Sequence, residues 1–426
     1  MSETADQVET PEEITGTEVS YPRDGLPHVI ETDTQLASAV AALAAGVGPV
    51  AVDAERASGF KYSQRAYLIQ IRRQDSGTHL IDPTGLTTLQ PLQEALEGVD
   101  WILHAASQDL VCLAELGLFP TAQLFDTELA GRLLGRHRVG LGTLLHTDLG
   151  YILAKEHSAA DWSTRPLPES WLVYAALDVE FLIELWDVMS ADLRDQGKYE
   201  WALQEFEHVR LNTGPIVRTD PWRRTSGMHA LKKPAQLAVV RELWQARDSL
   251  ADQLDIAPGR VLPDSSIVSL AGTPMDTATN IDRLPALRTR QVRRNLEVWV
   301  EAIERALRLP SHEYPPVKVT AAGPPNPRNW ATRNLQAWRR LEFAKSQISE
   351  LAEKLCMPAE NLVSPDVIRR IMWEPPATGS MAISLDQLKV RPWQQQLVEP
   401  IFQSAIAHAN EAEFAQAQQT EATTTE

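Results

Sequence analysis

Residues Val50-Ala51-Val52-Asp53-Ala54-Glu55 alternate in polarity with period two. A β-strand points successive side chains to opposite faces. Val50, Val52 and Ala54 therefore share one face, and Asp53 and Glu55 share the other. The first face needs an apolar layer against it. The second carries two carboxylates near the strand end, which hydrophobic packing cannot close over without a counter-charge.

Two further pieces supply matching chemistry. Asp109 follows the apolar run Trp101-Ile102-Leu103-His104 and opens a predicted helix with Leu110, Leu113, Ala114 and Leu116 as its apolar positions. Downstream, Trp171, Leu172, Ala175, Val179, Leu182 and Trp186 recur at helical spacing and make a buried stripe. Tyr174 and Asp178 stand at i and i+4, on one face of that helix. Singly, each piece has an ordinary reading: a solvated strand edge, a helix cap, a surface pair. Jointly they supply four carboxylates and one phenol. Such a cluster repels itself, and the natural counter-charge for an all-oxygen set is one or two Mg²⁺ or Mn²⁺ ions. A pair of these about 3.5–4 Å apart serves in-line displacement at phosphorus.

With these residues in hand, the chain resembles the ribonuclease D family, of the DEDD exonuclease superfamily in its tyrosine-containing subclass. Asp53 and Glu55 match the first motif, Asp109 the second, and Tyr174 with Asp178 the third. YLIQI at 67–71, LIDP at 80–83, LHAASQDL at 103–110, FDTELA at 125–130 and DWSTRPL at 161–167 match as well. The similarity spans residues 28–210. Ala54 and Arg56 depart from the Thr and Phe more usual there, which affects the packing beside a terminal base and leaves both carboxylates in place. The resemblance implies an α/β, ribonuclease-H-like domain with a mixed five-stranded sheet, and a two-metal 3′→5′ exonuclease releasing nucleoside 5′-monophosphates. It implies that Asp53 bridges two divalent ions, that Glu55 and Asp178 hold the one on the nucleophile side, and that Asp109 acts through the other. Glu55 would also meet the terminal 3′ hydroxyl. Tyr174 would orient the attacking water, since a free phenol with a pKa of about 10 is a poor base.

The net charge of −17 sits partly at the ends. Residues 1–24 hold seven acids against one base, and residues 409–426 add four acids. Such a balance argues against a protein that coats nucleic acid and is compatible with one that grips a strand end. Two cysteines, Cys112 and Cys356, read as reduced core thiols. No apolar run approaches a membrane span and the N-terminus is not a secretory signal, so a cytoplasmic, monomeric protein with no membrane association is expected.

The expected organisation is a disordered acidic tail at 1–26, the exonuclease domain at 27–211, and a linker at 212–229. Two all-α helical bundles follow. The first, at 230–310, resembles the helicase-and-RNase-D C-terminal (HRDC) domain. A proline-dense linker at 311–329 precedes the second, at 330–408, expected to be a degenerate copy; 409–426 reads as a second disordered tail. Helices are expected at 168–196 and 234–254, among others.

Candidate phosphate contacts are Lys155 and Arg165, in a loop that could equally be a brace around Trp162, and Arg283, Arg288, Arg290, Arg293 and Arg294. The latter run lies in 218–308, which holds fifteen bases and eleven acids. The expected substrate is RNA with a single-stranded 3′ end, such as a tRNA precursor. A DNA exonuclease of proofreading or repair type is the alternative, because the motifs do not read the 2′-OH. An inactive nucleic-acid-binding adaptor is disfavoured by the presence of all five motif residues.

Overall fold

The computed structural model describes residues 16–153, 160–214, 218–272, 290–318, 323–377 and 379–424. Its strands are β1 (Thr17–Val19), β2 (Val29–Ile30), β3 (Val47–Arg56), β4 (Ala66–Gln74), β5 (Gly77–Ile81), β6 (Trp101–Leu103), β7 (Leu124–Asp126) and β8 (Tyr151–Leu153). A mixed sheet runs β2-β5-β4-β3-β6-β7, and β1 pairs in parallel with β8 as a separate ribbon. The sheet therefore has six strands where five were expected. The sixth, β2, is two residues long and pairs in parallel with β5, too short to show any period. β3 lies inside the sheet, antiparallel to β4 and parallel to β6.

The alternation in β3 is realised. Val50, Val52 and Ala54 join Ile69, Ile71 and Ile81 in a core closed by Leu36, Ala39 and Leu43 of the helix Asp33–Ala45. A capping box between Thr32 and Gln35 starts that helix. On the opposite face, Leu68 and Leu80 pack with Ala175 and Ala176 of the helix Glu169–Glu180. That helix bridges the sheet on the side where Asp53 and Glu55 emerge.

The long helix expected at 168–196 is broken. Glu169–Glu180 ends at Phe181, whose φ of −115° leaves the helical range, and a second helix runs Leu182–Asp195. The break is pinned from the N-terminal segment. Arg23 donates to the Glu180 carboxylate at 2.7 Å, and its guanidinium lies 4.8 Å from the Phe181 ring centroid. Residues 17–26, assigned to a disordered tail on composition, are thus built into the fold through β1 and Arg23.

Downstream, the helix Pro234–Leu254 falls on its expected bounds, with proline at its first position. It packs with Leu296–Arg308 around a separate core containing Trp222, Leu243, Ile267 and Trp299. Among the described residues, the block after 323 shares its core with the nuclease. Trp330, Leu341, Ile348, Trp393 and Phe402 belong to the same apolar cluster as the nuclease sheet. Its last helix runs Pro392–Thr424, past the expected stop at 408 and through the segment expected to be a tail. Cys112 is buried as expected. Cys356 is exposed, at a positive φ of 48°. No helix among the described residues is long and apolar enough to cross a membrane.

Candidate active site

Asp53 and Glu55 project from the end of β3, where Asp53 faces Gln70 and Glu55 faces Leu68 across the ladder. The register then shifts, so that Arg56 pairs with Ala66 and Tyr67 is the extra residue. A bulge of this kind re-aims side chains at a strand end. Arg56 closes to 4.0 Å from the Asp109 carboxylate.

Asp109 reaches the same place by a tight turn. After β6 the backbone enters the left-handed region at Ala105, with φ of 55°. The amides of Ala105 and Ala106 both donate to Asp126, at 3.2 and 2.8 Å. Asp126 also accepts from the amides of Glu128 and Leu129, capping the helix Thr127–Leu133. One buried carboxylate thus ties the second motif to the start of a neighbouring helix. Burial pushes Asp126 up to about 6 against the pull of these donors. Asp109 caps no helix with its side chain and hydrogen-bonds Asp53 instead.

Asp178 and Tyr174 enter from the helix Glu169–Glu180. Carboxylate oxygens of Asp53, Glu55 and Asp178 lie within 4.8 Å of one another. Asp109 is not one of that trio, but it lines the same cleft of about 650 Å³, as does Tyr174. Among the described residues, Arg56 is the only Lys or Arg lining it. The charge imbalance shows in the titration. Burial pushes Asp53 up to about 6. Burial, then the charges of Asp53 and Asp178, pushes Glu55 up to about 10. Burial, then Asp53, pushes Asp109 well above the usual carboxylate range. The Tyr174 phenol is raised by burial and by Asp178, to which its hydroxyl donates, so it stays protonated. Carboxylates this crowded hold either protons or cations, and the donor set fits divalent ions that favour oxygen.

Of the two readings of the loop around Trp162, phosphate contact and brace, the brace fits Arg165 where the loop is described. Arg165 donates to Asp82 at 2.5 Å and to the carbonyl oxygens of Tyr67, Trp162 and Thr164. Its guanidinium is thereby committed to protein partners. Trp162, fully buried, stands 6.3 Å from the Tyr174 ring and 5.4 Å from Trp171. The loop therefore backs the phenol. Lys155, Arg283 and Arg288 lie outside the described residues. Arg290 opens the helix Arg290–Arg294, and Arg293 and Arg294 are exposed on it. His104, pushed down to about 4 by burial, is neutral and bonds the Thr127 hydroxyl at 2.9 Å. Sequence reasoning missed Asp126, although an Asp directly before Thr127-Glu128 at a helix start is a cap signature. It also missed Phe60, which lines the cleft and carries no motif.

A sheet strand, a turn and a crossing helix converging carboxylates on one cleft define a class: the acidic-site exonucleases. A family model described as 3'-5' exonuclease matches residues 27–194, an HRDC domain model matches 236–303, and a model described as 3' to 5' exonuclease C-terminal domain matches 323–406. The last replaces the expected degenerate HRDC copy. The ribonuclease D of Jannaschia sp. is 32% identical, over 79% of this chain and 88% of its own length. A solved protein from Bifidobacterium adolescentis is 36% identical with a TM-score of 0.85, covering 92% of this chain and 100% of that one. Escherichia coli RNase D shares the fold, with a TM-score of 0.66 at 24% identity, over 89% of this chain and 98% of its own. The chain belongs to the ribonuclease D family.

Proposed function

We propose that the chain is a cytoplasmic, metal-dependent 3′→5′ exoribonuclease that removes nucleotides one at a time from single-stranded 3′ ends of structured RNA, tRNA precursors among them. The observation that carries this reading is the convergence of Asp53, Glu55 and Asp178, with Asp109 and Tyr174, on one open cleft. The family relationship supplies the substrate class.

Two divalent ions, Mg²⁺ or Mn²⁺, held by Asp53, Glu55, Asp109 and Asp178, would neutralise the phosphoryl oxygens and acidify the attacking water. The protein's own groups do the rest. Water oxygen bonds to the phosphorus of the terminal nucleotide, the P–O3′ bond breaks, and the departing 3′ oxygen takes up a proton. The products are a nucleoside 5′-monophosphate and a strand shortened by one. The Tyr174 hydroxyl, which donates to Asp178, is placed to orient the attacking water. Arg56, which lines the cleft, offsets the negative charge that substrate brings. The exposed Arg293 and Arg294 suit phosphate contacts further along the strand.

The test compares matched RNA and DNA oligonucleotides, with and without a 3′ block, scoring release of 5′-monophosphates with Mn²⁺. RNA ends should be trimmed, blocked ends resisted and chelated samples inert. Asp178→Asn removes a charge at nearly constant volume and should abolish trimming without unfolding the protein. Retention of more than about a tenth of the wild-type rate would sink the ligand assignment. A clear preference for DNA would overturn the substrate class.

A further inference from the structure

The segment after the catalytic strand, residues 57–63, forms one wall of the cleft: Ser58, Gly59 and Phe60 line it together with Asp53 and Glu55. Inside the nuclease domain, Phe60 packs beside the cluster of Ala57, Tyr67 and Trp162, and Ser58 Oγ donates to Gln64 at 2.9 Å. The segment's own turn is closed by the amides of Phe60 and Lys61 on the Ala57 carbonyl, both at 2.8 Å. Gln64 Nε2 donates to the Tyr62 carbonyl at 3.1 Å, and three further backbone groups are met from the helical domain at 236–303. The amide of Ala257 donates to the Phe60 carbonyl at 2.9 Å. Arg260 Nε donates to the Gly59 carbonyl at 2.7 Å. The amide of Ser63 donates to Asp255 at 3.0 Å, and Lys61 Nζ lies 3.6 Å from the same carboxylate. Tyr62 packs against the apolar core of that domain and hydrogen-bonds Asp248. The Arg260 guanidinium also lies over the Phe60 ring, 4.1 Å from its centroid.

These contacts are more than a tether needs. They reach a five-residue stretch from one direction, they hold backbone as well as side chains, and they end on the single aromatic ring among the cleft residues that the segment contributes. An aromatic ring with a cation on one face is held flat, leaving its other face for a base. We propose that the HRDC domain is a fixed wall of the catalytic cleft. Asp255 and Arg260 are positioning residues that hold Phe60 so that its ring stacks on a nucleobase near the 3′ end. This rests on the exonuclease reading above. It also brings residues from outside 27–211, the span expected for the exonuclease domain, to the cleft wall.

The test uses the full chain and two short single-stranded oligonucleotides too small to reach beyond the cleft. They are identical except that one ends in a base-bearing nucleotide and the other in an abasic one. Wild type should prefer the base-bearing end, by roughly tenfold or more if one stacked base is at stake. Phe60→Ala should remove that preference. Arg260→Ala and Asp255→Ala, which touch no substrate, should reduce it chiefly through KM, leaving the abasic rate close to wild type. Arg260→Ala combined with Phe60→Ala should add little to Phe60→Ala alone. Hydrogen exchange at the Ser63 amide should quicken in Asp255→Ala. Equal loss on both oligonucleotides would mean general destabilisation and overturn the proposal, as would an unchanged preference in Arg260→Ala. Failure of the exonuclease reading is distinct, since wild type would then cleave neither substrate.

Discussion

At the scale of single residues, the site is a problem of charge. Among the described residues, four carboxylates face one arginine, and a phenol is pinned against them by Trp162 and by its bond to Asp178. The phenol carries a direct prediction. Tyr174→Phe keeps the ring packed and removes one hydroxyl. If that hydroxyl positions water, kcat should fall by about 10²–10⁴, with RNA affinity nearly unchanged. Single-turnover rates at saturating enzyme would show it. An unaltered rate would make the phenol a packing element only. These five residues were legible in the sequence because chemistry of this kind demands residue types at spacings that packing alone does not explain. Arg165 shows the limit of that reasoning: its charge suggested phosphate, while its fork is taken by Asp82 and three carbonyls. Nothing in composition separates a guanidinium aimed at solvent from one aimed inward.

At the scale of elements, legibility followed length and period. β3 and the helix Pro234–Leu254 could be read because each repeats its pattern several times and the helix starts on proline. β2, two residues long, repeats nothing, and β1 depends on a partner more than 130 residues away. The break at Phe181 has neither Gly nor Pro to announce it; long-range ties from Arg23 hold it. Asp126 belongs to this scale too, since it joins the turn carrying Asp109 to the helix Thr127–Leu133. Asp126→Ala should cost about 1–2 kcal/mol in a denaturant titration, as a lost cap with buried amides left behind. The turn at Ala105, strained by its left-handed backbone, should relax once its two acceptor bonds are gone. Cleavage should then slow in protein that remains folded, with Mn²⁺ affinity reduced. A full rate in Asp126→Ala would show that Asp109 is placed by its own helix alone.

At the scale of the whole molecule, the two helical blocks differ in the core they build. The HRDC domain has its own, whereas residues 330–408 complete that of the nuclease. The seam is specific. Trp393 is buried and stacks on Trp201, with centroids 4.8 Å apart and planes within 12°. Its indole N–H donates to Glu205 at 2.8 Å, and Arg391 donates to the same oxygen at 2.6 Å. Lys198 donates to the carbonyls of Leu133 and Leu355, one on each side of the seam. A side chain at Gly135 would collide with the Cys356 carbonyl. A chain ending near Asn212 would therefore expose part of its own core, which is why a free-standing nuclease domain is not expected to be stable. Trp393→Ala isolates the point. It removes a large buried ring and leaves the Glu205 carboxylate with one partner fewer, at a cost of about 3–5 kcal/mol. Spread over a unit of this size, that should lower the midpoint of the nuclease transition by roughly 6–15 °C. Activity should be lost on heating at the same lowered temperature, because sheet and C-terminal helices unfold together. Calorimetry in parallel with residual-activity measurements would decide. If the helices at 330–408 melted separately while the nuclease transition stayed where it was, the shared core would be a contact between independent units and not one cooperative structure.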